Sequence, residues 1–184
     1  AKNYYLWRDQ AIYVGKPLPE DPESFVLDDI VYTDKEDVLT GLAVASGYCY
    51  IFWERSIAIL AGQSGAWQVL PVRNGIGCAS HATLTDRNSD LIFFYAGVHG
   101  VWVLAGGEVR KISQQIDPVF ATEINHTMNR WTHGIFDPAS EMYFLWVFSA
   151  TPDIPITTKT PDLLLMYDNR NGQWYMGNLP ATSS

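Results

Sequence analysis

Positive charge is scarce in this chain of 184 residues: twelve Lys+Arg stand against twenty Asp+Glu, giving a formal net charge of −8. Nonspecific attraction to nucleic acid or to an anionic membrane is thereby disfavoured, because clustered Lys and Arg supply most of it. Cysteine is nearly absent. Cys49 and Cys78 are too few for a disulfide scaffold and lack the spacing of a metal site. No apolar run approaches the ~20 residues of a membrane helix. The opening residues carry no signal-peptide pattern, and no membrane anchor is expected. Collagen, coiled coil and zinc module are excluded on the same grounds. Charged residues are only 17% of the chain, whereas 47% are hydrophobic, enough to bury a core. Residues 1–37 hold nine acids and four bases, so over half of the net negative charge lies there.

Aromatic residues are abundant at 14%, with seven Trp and ten Tyr, which favours strands. The apolar stretches are short and bordered by turn residues. Tyr48–Trp53, Ser56–Leu60, Leu91–Tyr95, Val101–Leu104, Met142–Phe148 and Leu163–Tyr167 each have the length of a buried strand. Asn74-Gly75, Gly106-Gly107 and Asn171-Gly172 are the residue types of tight hairpins, since Gly tolerates positive φ and Asn often does.

Spacing adds a second layer. Trp67 follows one turn-rich segment and Val109 follows another, an interval of 42, and the same interval back from Trp67 stands Phe25. The next equivalent is Trp174, after an interval of 65 that contains two insertions. About 42 residues with four short strands is the period of a propeller blade. The predicted strands are Thr40–Ala45, Tyr48–Trp53, Ser56–Leu60 and Trp67–Val72 in one unit. Cys78–Leu84, Leu91–Tyr95, Val101–Leu104 and Val109–Ile112 form the next, and Trp131–Phe136, Met142–Phe148, Leu163–Tyr167 and Trp174–Met176 the last. Tyr4–Trp7 and Ser24–Tyr32 supply only an outer pair. The expected fold is all-β: a β-propeller portion of three and a half to four four-stranded blades with one short inserted helix. The middle strands should be apolar throughout, because both faces of each blade pack on neighbours.

The first insertion runs from about Gln114 to Arg130. Asp117-Pro118 suggests an N-cap carboxylate followed by proline at the first helical position, and Ile116, Phe120, Ile124 and Met128 recur at every fourth position. A helix on the propeller rim is predicted. The second insertion, from Ser149 to Pro161, carries three prolines and reads as an extended binding loop.

One set of segments, in this order, carries a family resemblance. It comprises Asp21-Pro22-Glu23-Ser24-Phe25, Leu39-Thr40-Gly41-Leu42, Glu54-Arg55-Ser56-Ile57, Asn74-Gly75-Ile76-Gly77-Cys78 and Gly100-Val101-Trp102 leading to Gly106-Gly107. Arg110-Lys111-Ile112-Ser113, Ile116-Asp117-Pro118 and Asp168-Asn169-Arg170-Asn171-Gly172-Gln173-Trp174 complete it. Together these are similar to the β-propeller region of tailed-bacteriophage structural proteins, of the tail nozzle or tail tubular type in short-tailed phages. The resemblance covers nearly all of the chain from Arg8 onward. It implies a non-enzymatic virion component, usually oligomeric, whose partners are other tail proteins and copies of itself. Such propellers usually sit in longer polypeptides, so residues 1–184 are expected to be one propeller region, part of a larger chain or completed by a partner. The acidity would then let packaged DNA pass as cargo without sticking.

Chemistry at the polar residues is not indicated. His81, His99, His126 and His133 suit packed or surface roles better than a shared metal site. No G-x-S-x-G nucleophile elbow is present. The acids of Asp86-Arg87-Asn88, Asp137-Pro138 and Asp168-Asn169 sit in turn contexts, and Gly106-Gly107 lacks the helix and Lys of a phosphate loop. No catalytic, cofactor-binding or metal residue is therefore assigned. Trp53, Trp102, Trp131, Trp146 and Trp174 suit packing between blades, with a sugar-stacking surface as the alternative. Candidate assembly contacts are Phe120, Ile124 and Met128 on the helix, and Ile154 and Ile156 in the proline-rich loop. A carbohydrate-binding propeller and a glycoside hydrolase fragment are the competing functions.

Overall fold

The computed structural model describes residues 4–18, 21–33, 36–63, 65–87, 90–150 and 160–178; for residues 4, 16–18 and 21–28 it describes the backbone alone. The chain is mostly β and forms four antiparallel sheets in sequence order. The first sheet holds β1 (Tyr4–Arg8), β2 (Ala11–Leu18) and β3 (Asp21–Tyr32). The second holds β4 (Leu39–Ala45), β5 (Tyr48–Trp53), β6 (Ser56–Ala61) and β7 (Gln68–Asn74). In the third are β8 (Thr85–Arg87), β9 (Leu91–Tyr95), β10 (Val101–Ala105) and β11 (Glu108–Lys111). The fourth comprises β12 (His133–Asp137), β13 (Met142–Val147), β14 (Leu163–Asp168) and β15 (Gln173–Asn178). Each sheet is a simple meander in which every strand pairs with its chain neighbour.

Turn chemistry sets the registers. Ser46-Gly47 joins β4 to β5 and Gly106-Gly107 joins β10 to β11, and all four residues have positive φ, between 50° and 86°. Two consecutive residues of that kind match the right-handed twist of the strands they connect. The positions picked out by the recurring sequence interval fall alike in their sheets. Phe25 is in β3, Trp67 immediately precedes β7, Val109 is in β11 and Trp174 is in β15, so each marks the last strand.

The sheets stack face to face in chain order, and strand alternation makes this possible. Side chains at i and i+1 point to opposite faces. Cys49, Ile51 and Trp53 of β5 pack with Ile12 and Val14 of the first sheet. Tyr50 and Phe52, between them in sequence, pack with Ile92, Phe94 and Leu104 of the third. Phe93 and Tyr95 face the other way, onto Phe136, Tyr143, Leu145 and Leu165 of the fourth. Phe93 lies nearly parallel to Phe136 (centroids 5.0 Å apart) and to Tyr143 (5.2 Å). The first strands also touch in succession, β1 with β4, β4 with β8 and β8 with β12. No comparable contact joins the last strands of neighbouring sheets among the described residues, so the sheets converge on one edge and splay at the other.

Tryptophans tie the splayed edges. Trp67 donates its indole N–H to Asp29 Oδ2 of the first sheet at 2.8 Å. Trp174 donates to the Ile112 carbonyl, just past β11, also at 2.8 Å. Trp102 lies under Arg73 of the second sheet, with the guanidinium carbon 5.9 Å from the ring centroid. Trp53 is fully buried between the first and second sheets. For Trp53, Trp102 and Trp174, packing between sheets is thus what the structure displays.

Four expectations need correction. The opening segment is a three-stranded sheet and not an outer pair, because Ala11-Ile12-Tyr13-Val14 starts a strand between the two expected ones. Cys78–Leu84 is not a strand. Its amides bond to the ends of other strands, Cys78 N–H to the Trp53 carbonyl and Ala79 N–H to the Tyr95 carbonyl (2.8 Å each), and residues 81–83 make a 3-10 turn. Only Thr85–Arg87 joins the ladder. Asn74-Gly75 closes no hairpin; it leads from β7 into that connection.

The fourth correction concerns the inserted helix, which is broken in two. α1 spans Asp117–Thr122, and His126–Trp131 is a separate 3-10 segment. Ile124 bridges to Ser149 beyond β13, with Asn125 N–H donating to the Phe148 carbonyl (2.8 Å) and Ala150 N–H to the Glu123 carbonyl (2.7 Å). Asn125 then accepts from the Thr127 amide at 3.1 Å and starts the next turn. The residue capping α1 is Ile116, with no side-chain bond; Asp117 lies inside the first turn and pairs with Lys111 Nζ at 2.6 Å.

Candidate functional site

The ends of the second and third sheets and the broken insertion meet at one rim. The β5–β6 turn brings Glu54 and Arg55 there, and the β9–β10 turn brings Ala96 and Gly97. The connection into the fourth sheet adds His126, Asn129 and Arg130. Between them lies a cleft of about 410 Å³, within the range of small-molecule pockets. Its floor is of small residues. Gly97 has φ 61°, and a Cβ there would stand 2.9 Å from Asn129 Nδ2, so a side chain at this point would intrude on the cleft wall.

One side of the cleft is held by a polar network. His126 Nε2 donates to the Phe120 carbonyl at 2.6 Å, since a carbonyl can only accept. The Tyr95 hydroxyl stands 3.1 Å from His126 Nδ1 and donates to Asn129 Oδ1 at 2.9 Å. Burial raises the pKa of that hydroxyl, keeping it protonated. Nearby, Ser80 Oγ donates to the Thr132 carbonyl (2.9 Å) and Thr83 Oγ1 to the Ser80 carbonyl (2.7 Å). These bonds fix the loops whose tips line the opening.

The cleft is rich in guanidinium. Arg55 and Arg130 are both exposed at its edge. Neither has a carboxylate within 4 Å among the described residues, unlike Arg87 with Glu141 (2.9 Å) or Arg170 with Asp168 (3.5 Å). The Arg130 guanidinium carbon lies over the Trp131 ring, 5.0 Å from its centroid, within cation–π range.

The ends of the stack form a second feature. The fourth sheet turns one face to the third sheet and the other outward. Register places Ile135, Phe144, Met166 and Tyr175 in one row of that outer face, with Trp146 and Leu164 beside them. Ile135 is 52% exposed and Tyr175 48%. Phe144 and Trp146, half-buried, stack with centroids 6.1 Å apart. Within the run Tyr143–Phe148, residues 143–147 therefore alternate between buried and part-exposed instead of being covered on both faces. At the opposite end, the first sheet exposes Leu6, Ile30 and Tyr32.

The residues expected to mediate assembly are not brought together. Phe120 is fully buried and Ile124 is 5% exposed, both within the core between the third and fourth sheets. Neither presents a contact surface, which corrects that expectation; their apolar side chains fill the core instead. Met128 is half-buried in the 3-10 segment. Ile154 and Ile156 lie outside the described residues.

His99 sits in the β9–β10 turn, and His81 meets the edge of the Trp7 ring at 5.7 Å. Cys49 and Cys78 are free and buried, in separate clusters, and burial pushes their thiols up to about 12 and about 11. No group of three or more His, Cys, Asp or Glu able to hold a metal occurs among the described residues. No described helix is long and apolar enough to cross a membrane. The cleft has no signature in the sequence, because its parts are scattered from Glu54 to Arg130 and each is an ordinary turn residue. Comparison with known protein families finds no matching family model, and no curated protein matches the chain.

Proposed function

We propose that this chain is a run of β-propeller blades in a structural protein of a short-tailed phage tail, of the nozzle or tail-tube type. It works by assembly into an oligomeric ring and not by catalysis. The observation that carries the reading is the open stack. Four meander sheets converge on their first strands, and the two end faces expose Leu6, Ile30 and Tyr32 at one end and Ile135 and Tyr175 at the other. A monomer rarely leaves a large apolar patch uncovered, and such faces serve as interfaces. The order of the turn and tryptophan segments resembles tail propellers, which supports a virion reading for the assembly. The partners are other tail proteins and further copies of the chain. Net charge −8 suits a wall past which DNA moves without being held.

Sedimentation equilibrium over a range of concentrations tests this, using the chain and its Trp146→Glu variant. The chain is expected to self-associate, and the variant, with an unchanged circular dichroism spectrum, to remain monomeric. A folded wild-type chain that stays monomeric at every concentration would overturn the assembly reading.

A further inference from the structure

We propose that the rim cleft binds a small ligand through an oxyanion group, a carboxylate or a phosphate, held by Arg55 and Arg130. The inference is independent of the assembly reading, since the cleft lies on the loop rim and not on either end face. It rests on three observations. First, in a chain where acids outnumber bases twenty to twelve, two guanidiniums line one cleft of about 410 Å³ with a single carboxylate, Glu54. Second, neither guanidinium is neutralised by a carboxylate among the described residues, while four other cations are. Third, the cleft is built to hold its shape. The Tyr95–His126–Asn129 network pins one wall, and the Trp131 ring lies 5.0 Å from the Arg130 guanidinium carbon.

A guanidinium presents a planar fork of N–H donors that matches two oxygens of a carboxylate or phosphate. A cation–π contact to Trp131 uses none of the N–H donors of Arg130, which stay available to an anion. Arg55 enters from the β5–β6 turn, whose backbone is itself fixed by Asp37 Oδ2 accepting from the Arg55 amide at 3.0 Å and from Ser56 Oγ at 2.9 Å. The two therefore approach the cleft from different elements, Arg55 from the β5–β6 turn and Arg130 from the 3-10 segment. The floor of Ala96 and Gly97 leaves room for the body of the ligand, and the Asn129 side chain offers a polar contact beside it.

Three matched probes decide both the chemistry and its source: glucose, glucuronate and glucose 6-phosphate, titrated calorimetrically into the whole chain. Binding of either anion but not of glucose is expected, with a dissociation constant of about 1 mM or tighter. The stronger of the two anions identifies carboxylate or phosphate as the preferred group. Arg55→Ala and Arg130→Ala should each weaken that binding about tenfold. Arg73→Ala removes the same charge from the face of Trp102, outside the cleft, and should leave binding unchanged. All three side chains are exposed, so folding is not at stake. The proposal is overturned if glucose binds as well as the anions, if Arg73→Ala is as damaging as the cleft variants, or if neither anion saturates by about 10 mM.

Discussion

Phe93 and Phe94 are neighbours in sequence, both fully buried on β9, and they should fail in different places when truncated. Phe93 joins the third sheet to the fourth through Phe136 and Tyr143, whereas Phe94 joins it to the second through Phe52, with centroids 5.2 Å apart. Replacing a buried Phe by Ala costs about 3–5 kcal/mol, from lost transfer energy and the cavity left behind. Against a typical total of about 5–15 kcal/mol the two variants remain folded or nearly so, and their equilibrium losses should be similar. What should differ is location. Hydrogen exchange in Phe93→Ala is expected to quicken in β12–β15, which lose their hold on the stack, while β5 and β6 keep their protection. In Phe94→Ala the pattern reverses.

Double-mutant cycles give the energetic counterpart. Phe93→Ala with Phe136→Ala should show an aromatic coupling of about 0.5–1.5 kcal/mol. Phe93→Ala with Phe52→Ala, on opposite faces of the third sheet, should add within about 0.5 kcal/mol. If both single variants deprotect the same amides, or if the cross-face pair couples as strongly as the stacked one, the picture of separable sheets joined by face contacts is wrong.

Two further outcomes follow from the same interactions. Trp67→Phe should lower stability by about 1–3 kcal/mol and Trp174→Phe by about 0.5–1.5 kcal/mol, the former more because its acceptor is a carboxylate. Urea midpoints check this, and losses no larger than that of the exposed Tyr175→Phe would remove the indole bonds from the account. Stability should also fall on acidification in two stages. Partial desolvation lowers the His81 pKa below its ordinary 6.5, so the unfolded chain takes up the proton first and stability declines as pH falls below about 6.5. Asp137, accepting chiefly from Ser140 Oγ, and Asp168, accepting chiefly from the Arg170 amide, are held below the ordinary 3.8. Their contributions are present above about pH 3.8 and are lost as pH falls through the lowered values. Melting temperatures across this span test the sign; a rise on acidification would refute it. His81→Gln should abolish the first stage alone.

Much of the strand inventory was legible because strands declare themselves locally. Tyr48–Trp53 and Leu91–Tyr95 have the same limits in sequence and structure, since β-branched and aromatic residues between turn-forming pairs leave the backbone few options. Gly106-Gly107 marked its hairpin for the same reason. The 42-residue interval found the last strands of the first three sheets, because a meander restarts whenever the same length of chain is used, and the fourth followed only after the longer interval with its two insertions. The class of fold, all-β in repeated antiparallel units, was thus written in local chemistry.

Three features were decided only by what lies across the chain. Phe120 and Ile124 repeat at helical spacing, yet backbone bonds to Phe148 and Ala150 end the helix between them, and both side chains lie in the core. Cys78–Leu84 stands where the spacing expects a strand, but the amides of Cys78 and Ala79 bond to the carbonyls of Trp53 and Tyr95, at the ends of strands in two different sheets. Arg55 and Arg130 share a cleft because two turns and a broken helix end at one rim, a juxtaposition with no periodic trace. Alternation along a strand is a property of the backbone and can be read from the sequence. Which neighbour covers each face, and which loops meet at its end, depends on partners distant in the chain, and that is settled only when the sheets pack.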